Sequence, residues 1–275
     1  MGAAIIRPDG RHRWPAVTLD DAALLASLPA LAYQASLVFC RMAAATMLLP
    51  GLGEQEVPAN IRLGLGLLVT LLLLPLLAPL LPSAPEAPFA LLGLILGEVA
   101  IGLWLGSLAR LLASAMAQAG QVIGTMMGLT SPLQGDLVLG AQATPLGRLF
   151  GFVATVLILA TGLYALPLAA LLHSYTILPP GALPAGPAAE AMAAMVAQSF
   201  ELALRLAAPF ILAGVLFNIG LGLVARVAPQ VQIFVVAAPA QILAGFGLLM
   251  LLLPAILLLW RGAMEGGFNA LPGAP

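Results

Sequence analysis

Two apolar segments of this chain are about twice as long as a membrane-spanning helix. Residues 89–129 and 188–228 are almost unbroken apolar runs. Each has about 40 residues and would be about 60 Å long as a straight helix, whereas the hydrocarbon core of a bilayer is about 30 Å thick. Such segments must either bend and re-enter the bilayer or have much of their surface covered by other protein.

The composition places the chain among membrane proteins. Of its 275 residues, 62% are hydrophobic and 8% are charged, whereas about a quarter of the residues of a soluble domain are charged. The sequence predicts an all-α membrane protein of about six long, partly broken helices. The six apolar segments are residues 19–49, 62–81, 89–129, 146–175, 188–228 and 233–260.

Several function classes are excluded by residue usage. All ten basic residues are arginine, so there is no lysine-rich tail for nucleic acid, and we expect no nucleic-acid partner. Cys40, His12 and His173 are too few for a disulfide framework or a histidine/cysteine metal site. We find no nucleophile with a base, no paired carboxylates and no phosphate-binding glycine loop. The sequence therefore predicts a protein that is not an enzyme and has no cofactor.

The first 18 residues form a polar N-terminal segment. This segment carries Arg7, Arg11 and Arg13 and lacks the compact basic-then-apolar pattern of a cleaved signal peptide. We therefore expect it to be retained in the mature protein.

Polar side chains interrupt both long segments. Glu201 and Arg205 are four residues apart and in the favourable order for an ion pair along one helix. Glu98 and Arg110 are three turns apart on one helix and need partners elsewhere in the fold. Intramembrane polar groups, which here include Asn218, are candidates for an ion or proton pathway by default. For Glu201 and Arg205, the alternative is that the two charges simply neutralise each other.

Glycines recur at four-residue spacing through the third segment. Gly106, Gly120, Gly124 and Gly128 lie near one helix face, and small residues allow helix backbones to approach closely in a membrane. This row of glycines predicts close helix packing, either within the chain or against a partner.

Four stretches of the sequence resemble the FliR family of type III secretion export-gate proteins. The most specific is "FNIGLGLVARVAPQVQIFVVAAPAQILAGFGLLML", residues 217–251. Within it, five residues match the family pattern: Arg226, Pro229, Gln230, Phe234 and Pro239. Residues 39–75, 120–129 and 146–181 resemble further parts of the family in the same order.

The resemblance implies a structural subunit of a protein-conducting gate in the bacterial inner membrane. Its implied partners are FliP and FliQ subunits, FlhB, FlhA, unfolded export substrates and membrane lipid. Flagellar and injectisome versions share these motifs, and we favour the flagellar basal body. A secondary transporter is the alternative of another class, because such proteins build sites from broken helices. The six segments, however, contain no matched pair of broken helices.

The family also implies a division of the chain into helical hairpins. Residues 19–180 resemble FliP and contain a central gate or plug loop. Residues 188–262 resemble the FliQ hairpin, and residues 263–275 form a tail.

The resemblance further suggests which residues act at the gate. The end of the third segment and the loop 129–145 are similar to the region that lines or plugs the channel. Methionine is apolar and flexible, which suits a seal that must also yield, although methionines also fill ordinary core gaps. The predicted gate residues are Met126, Met127, Gly128, Pro132 and Asp136.

The same resemblance predicts the turn of the C-terminal hairpin at residues 226–239. We expect Pro229 to end the fifth segment and Pro239 to break the start of the sixth. Gln230 and Gln232 would then satisfy open backbone groups. The alternative is an ordinary polar turn outside the membrane.

Overall fold

The computed structural model describes residues 19–54, 56–129, 144–227 and 233–274. The part of the chain that it describes contains helices and no strand. Five helices are long and apolar enough to cross a membrane, or six if one bent pair counts as a single span. The predicted all-α, multi-pass membrane class is thus confirmed. The elements are α1 (Leu19–Thr46), α2 (Ala59–Leu77), a 3₁₀ turn (Ala78–Leu80), α3 (Pro88–Met126), α4 (Pro145–Thr161), α5 (Ala165–Ile177), α6 (Ala185–Val227) and α7 (Ile233–Asn269).

Both long apolar segments form single helices. Helix α3 has 39 residues and α6 has 43, so neither bends back into the bilayer. Helix α3 lies in the middle of the fold, where it contacts α1, α4, α5, α6 and α7. Part of its apolar surface is therefore covered by this chain itself. The fully buried positions recur at helical spacing along α3 and include Ile101, Leu105, Leu108, Leu112, Met116, Ala119 and Ile123.

The fourth apolar segment is broken, which corrects the prediction of one helix over residues 146–175. Helices α4 and α5 meet at an angle of 71°. Gly162 ends α4 with φ of +75°, in the left-handed region that glycine adopts without strain. The apolar pattern continues through the break, so hydrophobicity alone did not reveal it.

Helix α7 also differs from its predicted limits. The helix continues to Asn269 instead of ending near Trp260, so residues 263–269 of the predicted tail are helical. Pro239 lies inside α7 and does not break its start. A proline near a helix start removes only one backbone hydrogen bond, and membrane helices tolerate prolines.

The glycines of α3 contact two different neighbours. A Cβ atom on Gly102 would overlap the Arg41 carbonyl oxygen of α1, and one on Gly106 would lie 2.8 Å from the Ala45 carbonyl oxygen. Further along, a Cβ on Gly120 would lie 2.8 Å from the Leu146 carbonyl oxygen of α4. Gly124 packs in the same way against the Thr144 side chain. The glycine row thus lets two helices of this chain approach α3.

We expect Gly102→Ala to destabilise the fold by about 1–3 kcal/mol, because the added methyl group overpacks the contact with α1. Gly93→Ala on the same helix is the matched control, since no other element among the described residues comes within 4 Å of a Cβ there. In a helix interior, alanine is more favourable than glycine by about 1 kcal/mol. The control variant should therefore be as stable as the unchanged protein or slightly more stable. Unfolding in mixed detergent micelles measures both. Equal stability of the two variants would contradict this packing.

Candidate functional site

The end of α3 lies between α6 and α7 and places two methionines against glycines. A Cβ atom on Gly214 of α6 would lie 3.3 Å from the Met126 sulfur. A Cβ on Gly245 of α7 would lie 2.6 Å from Cγ of Met127. Each methionine therefore occupies space that a larger residue at the facing position would fill.

Gln241 of α7 is hydrogen-bonded to the backbone at the end of α3. Its Nε2 donates to the Met126 carbonyl oxygen at 2.7 Å. The last carbonyls of a helix have no partner within the helix. Here Gly128 reverses the backbone with φ of +75°, and Leu129 N donates to the Gly124 carbonyl oxygen at 2.9 Å. We call Met126, Met127, Gly214, Gln241 and Gly245 the methionine clasp.

A partly open cavity of about 80 Å³ adjoins the clasp. Apart from Gln241, its lining side chains are apolar, and they include Phe210, Phe217 and Leu248. Methionine side chains are flexible and adapt to irregular space. Met126 and Met127 both line this cavity.

A second arrangement, an ion pair, lies deep inside the protein. Arg41 of α1 and Glu98 of α3 are both 0% exposed. Arg41 donates from Nε to Oε2 and from Nη2 to Oε1 of Glu98, each at 2.8 Å. Such a bidentate pair is among the strongest charge-assisted contacts in proteins.

The remaining donors of this pair reach α5 and the loop after it. Arg41 Nη1 donates to Ser174 Oγ at 3.0 Å, and its Nη2 donates to the Leu178 carbonyl oxygen at 3.1 Å. The Gly181 backbone N–H donates to Glu98 at 3.2 Å. The guanidinium carbon also lies 3.9 Å from the centre of the Tyr175 ring, which is cation–π geometry. The pair thus joins α1, α3 and α5.

The family of the chain follows from comparison with known sequences. Residues 32–267 match the profile of the family described as bacterial export proteins, family 1. The chain belongs to this family. It is 38% identical to the flagellar biosynthetic protein FliR of Caulobacter vibrioides, over 83% of this chain and 91% of that protein. The predicted membership of the FliR family is confirmed.

Two further relatives show the breadth of the family. The FliR protein of Pectobacterium carotovorum is 33% identical over 79% of this chain and 83% of its own length. The Yop proteins translocation protein T of Yersinia pestis is 30% identical over 56% of this chain and 60% of its own length. Residues 32–267, which match the family profile, include both the methionine clasp and the buried ion pair.

The predicted gate and turn residues fall in different places. Of the gate set, Met126 and Met127 lie in the clasp and Gly128 follows it, whereas Pro132 and Asp136 lie outside the described residues. Of the turn set, Arg226 is exposed at the end of α6, and Phe234 and Pro239 belong to α7. Pro229, Gln230 and Gln232 lie outside the described residues.

The predicted intramembrane charges each have a partner of opposite sign. Glu201 and Arg205 pair at 2.6 Å along α6, and Arg110 pairs with Glu54 at 3.4 Å. Asn218 donates to the Gly214 carbonyl oxygen at 2.9 Å. The Glu201–Arg205 contact is the ion pair along one helix that the spacing predicts.

Sequence reasoning assigned no structural role to two residues that make central contacts. Arg41 is the only charged residue between Asp21 and Glu54, and an isolated charge in an apolar helix signals a buried partner of opposite sign. Gln241 stands in an equally apolar stretch. In both cases the signal was present, but only the fold identified the partner.

We expect Glu98→Leu to destabilise the protein by about 3–5 kcal/mol, because Arg41 would remain buried without its counter-ion. The double variant Arg41→Met/Glu98→Leu should recover much of this loss. Glu201→Gln is the control, because breaking an exposed ion pair costs at most about 1 kcal/mol. The free energy of unfolding of all three variants is measured in mixed detergent micelles. A double variant less stable than Glu98→Leu would contradict the expectation.

Proposed function

We propose that this chain is a structural subunit of the flagellar type III protein export gate. With FliP and FliQ subunits it would form the channel through which unfolded flagellar proteins cross the inner membrane. The observation that carries the proposal is the family match over residues 32–267. The FliR protein of Caulobacter vibrioides matches at 38% identity over 83% of this chain, against 30% over 56% for the Yop proteins translocation protein T, which favours a flagellar over an injectisome role.

The surface of the chain supports a role within an assembly. Helices α3 and α6 are each about twice as long as the hydrocarbon core is thick, so lipid alone cannot cover their apolar surface. Large apolar patches of this kind mark contacts with lipid or protein. We include FlhB and FlhA among the partners. The exposed large side chains of α6 include Phe200, Leu204, Leu212, Leu216, Ile219 and Leu223.

The methionine clasp supports a gating role for the end of α3. Met126 and Met127 are held by close packing and by one hydrogen bond from Gln241, next to a cavity that both side chains line. A seal of flexible apolar side chains can exclude ions at rest and yield to an unfolded chain. We infer that the clasp holds this seal closed.

Affinity purification of the tagged chain from gently solubilised membranes tests the assembly. We expect FliP-like and FliQ-like chains to co-purify and to be identified by mass spectrometry. Leu72→Asp, at an exposed position of α2, should reduce their recovery because it places a charge in an apolar surface available to a partner. A chain recovered alone that restores solute uptake in vesicles would favour a secondary transporter instead.

The gate is tested by a matched pair of substitutions in α7. We expect Gly245→Val to displace Met127 and make membranes containing the assembled complex leak ions. Gly247→Val is the control, because in the part of the chain that the structure describes no other element comes within 4 Å of a Cβ at that position. Ion conductance of membrane vesicles measures the leak. A Gly245→Val complex that assembles and stays ion-tight would argue against a seal at the clasp.

A further inference from the structure

Helix α5 follows a bend at Gly162. This glycine ends α4 with φ of +75°, and α5 leaves it at an angle of 71° to α4. In the part of the chain that the structure describes, no other element comes within 4 Å of a Cβ at Gly162. The start of α5 also has no side-chain cap. Contacts at Gly162 itself therefore do not fix the angle between the two helices.

A partly open cavity of about 170 Å³ lies beside this bend, between the end of α4 and α7. Protein interiors normally contain few voids larger than a water molecule. The bend is therefore packed less tightly against α7 than an ordinary core. The cavity is lined by Leu157, Thr161, Leu163, Leu257, Leu258 and Arg261.

The far end of α5 is held by the buried ion pair. Arg41 of α1 donates to Ser174 Oγ and to the Leu178 carbonyl oxygen. Tyr175 lies against the same guanidinium group. These contacts lie about three helical turns from Gly162. Helix α5 is thus anchored at one end and loosely packed at the other.

The end of α7 continues into a segment that reaches the anchored part of α5. Its buried side chains recur at helical spacing, with Met264 and Phe268 both 0% exposed and Leu271 4% exposed. At Gly267 a Cβ would overlap the Leu112 side chain of α3, so α3 supports this segment from the other side. We call residues 264–274 the strap.

Gly273 brings the strap into backbone contact with α5. Its φ of +89° lies in the left-handed region that glycine adopts without strain. A Cβ at this position would overlap the Ala170 carbonyl oxygen and would lie 3.0 Å from Ser174 N. A side chain at position 273 would therefore separate the strap from α5.

We propose that α5 is a hinged helix that the strap holds closed against α1 and α3. While the strap is in place, Ser174 and Leu178 stay within hydrogen-bond distance of Arg41. When the strap is displaced, α5 turns about Gly162 and these two partners leave the ion pair. The device lies within one chain, so it does not depend on the partner subunits of the proposed function.

Two costs oppose the opening of α5. Displacing the strap exposes apolar side chains that are buried in the closed state, among them Leu271. Turning α5 takes Ser174 and Leu178 away from Arg41, and a buried donor without a partner is unfavourable. Once the strap is removed, only the second cost remains. We therefore expect local opening of α5 to become more frequent while the rest of the fold is kept.

A buried thiol on α5 reports the closed state. Ala170 is 1% exposed and Cys40 is the one cysteine of the chain, so Ala170→Cys in a Cys40→Ala background carries a single thiol. We expect Gly273→Val to raise the rate of its reaction with a maleimide several-fold. Gly266→Val is the matched control, because among the described residues no other element comes within 4 Å of a Cβ there. An equal rate in the two variants would overturn the proposal.

Hydrogen–deuterium exchange separates hinge motion from a general loss of structure. Deletion of residues 270–275 removes the contact at Gly273 outright, and exchange is followed by mass spectrometry in detergent micelles. We expect faster exchange in α5 and unchanged exchange in α3 and α4. Unchanged exchange in α5 would show that the strap does not hold this helix. Faster exchange in all three helices would show that no separate hinged element exists, and either result would reject the device.

Discussion

A charge enclosed in an apolar protein is stable only where an opposite charge and enough hydrogen-bond partners are enclosed with it. Arg41 and Glu98 meet this condition, with both side chains fully buried and contacts to Ser174, Leu178 and Gly181. Because their partners come from three helices and one loop, the pair fixes how α1, α3 and α5 are arranged. Desolvation offsets much of the attraction between the two charges, so we expect the pair to act mainly on which helix arrangement forms and less on total stability.

Helix α3 extends from this ion pair through the middle of the fold and contacts most of the other helices. Gly102 and Gly106 let α1 approach it, and Gly120 lets α4 approach it further along. The far end of α3 is then clasped by α6 and α7 through methionine–glycine packing and the Gln241 hydrogen bond. One continuous helix thus connects the buried ion pair to the methionine clasp, the part of the chain that we propose as a seal.

Individual residues show how far sequence reasoning reached. The i, i+4 spacing of Glu201 and Arg205 was enough to predict their pairing, because both partners lie on one helix. Glu98 could be said to need a partner, but not that the partner is Arg41, 57 positions away. The break at Gly162 was missed because the residues on both sides are equally apolar. Of the methionine clasp, the sequence predicted only Met126 and Met127. Gly214, Gln241 and Gly245 are far from them in the sequence and come into contact only in the folded chain.

The sequence by itself determined the membrane class, the approximate number of helices and the family. These depend on composition, on runs of apolar residues and on short motifs, all of which are local along the chain. Tertiary structure alone decided the partner of each isolated charge, the bend between α4 and α5, and the packing of the end of α3 against α6 and α7. The physical reason is that these features depend on the relative positions of helices. Those positions are set by long-range packing of side chains and glycine contacts, which no local pattern records.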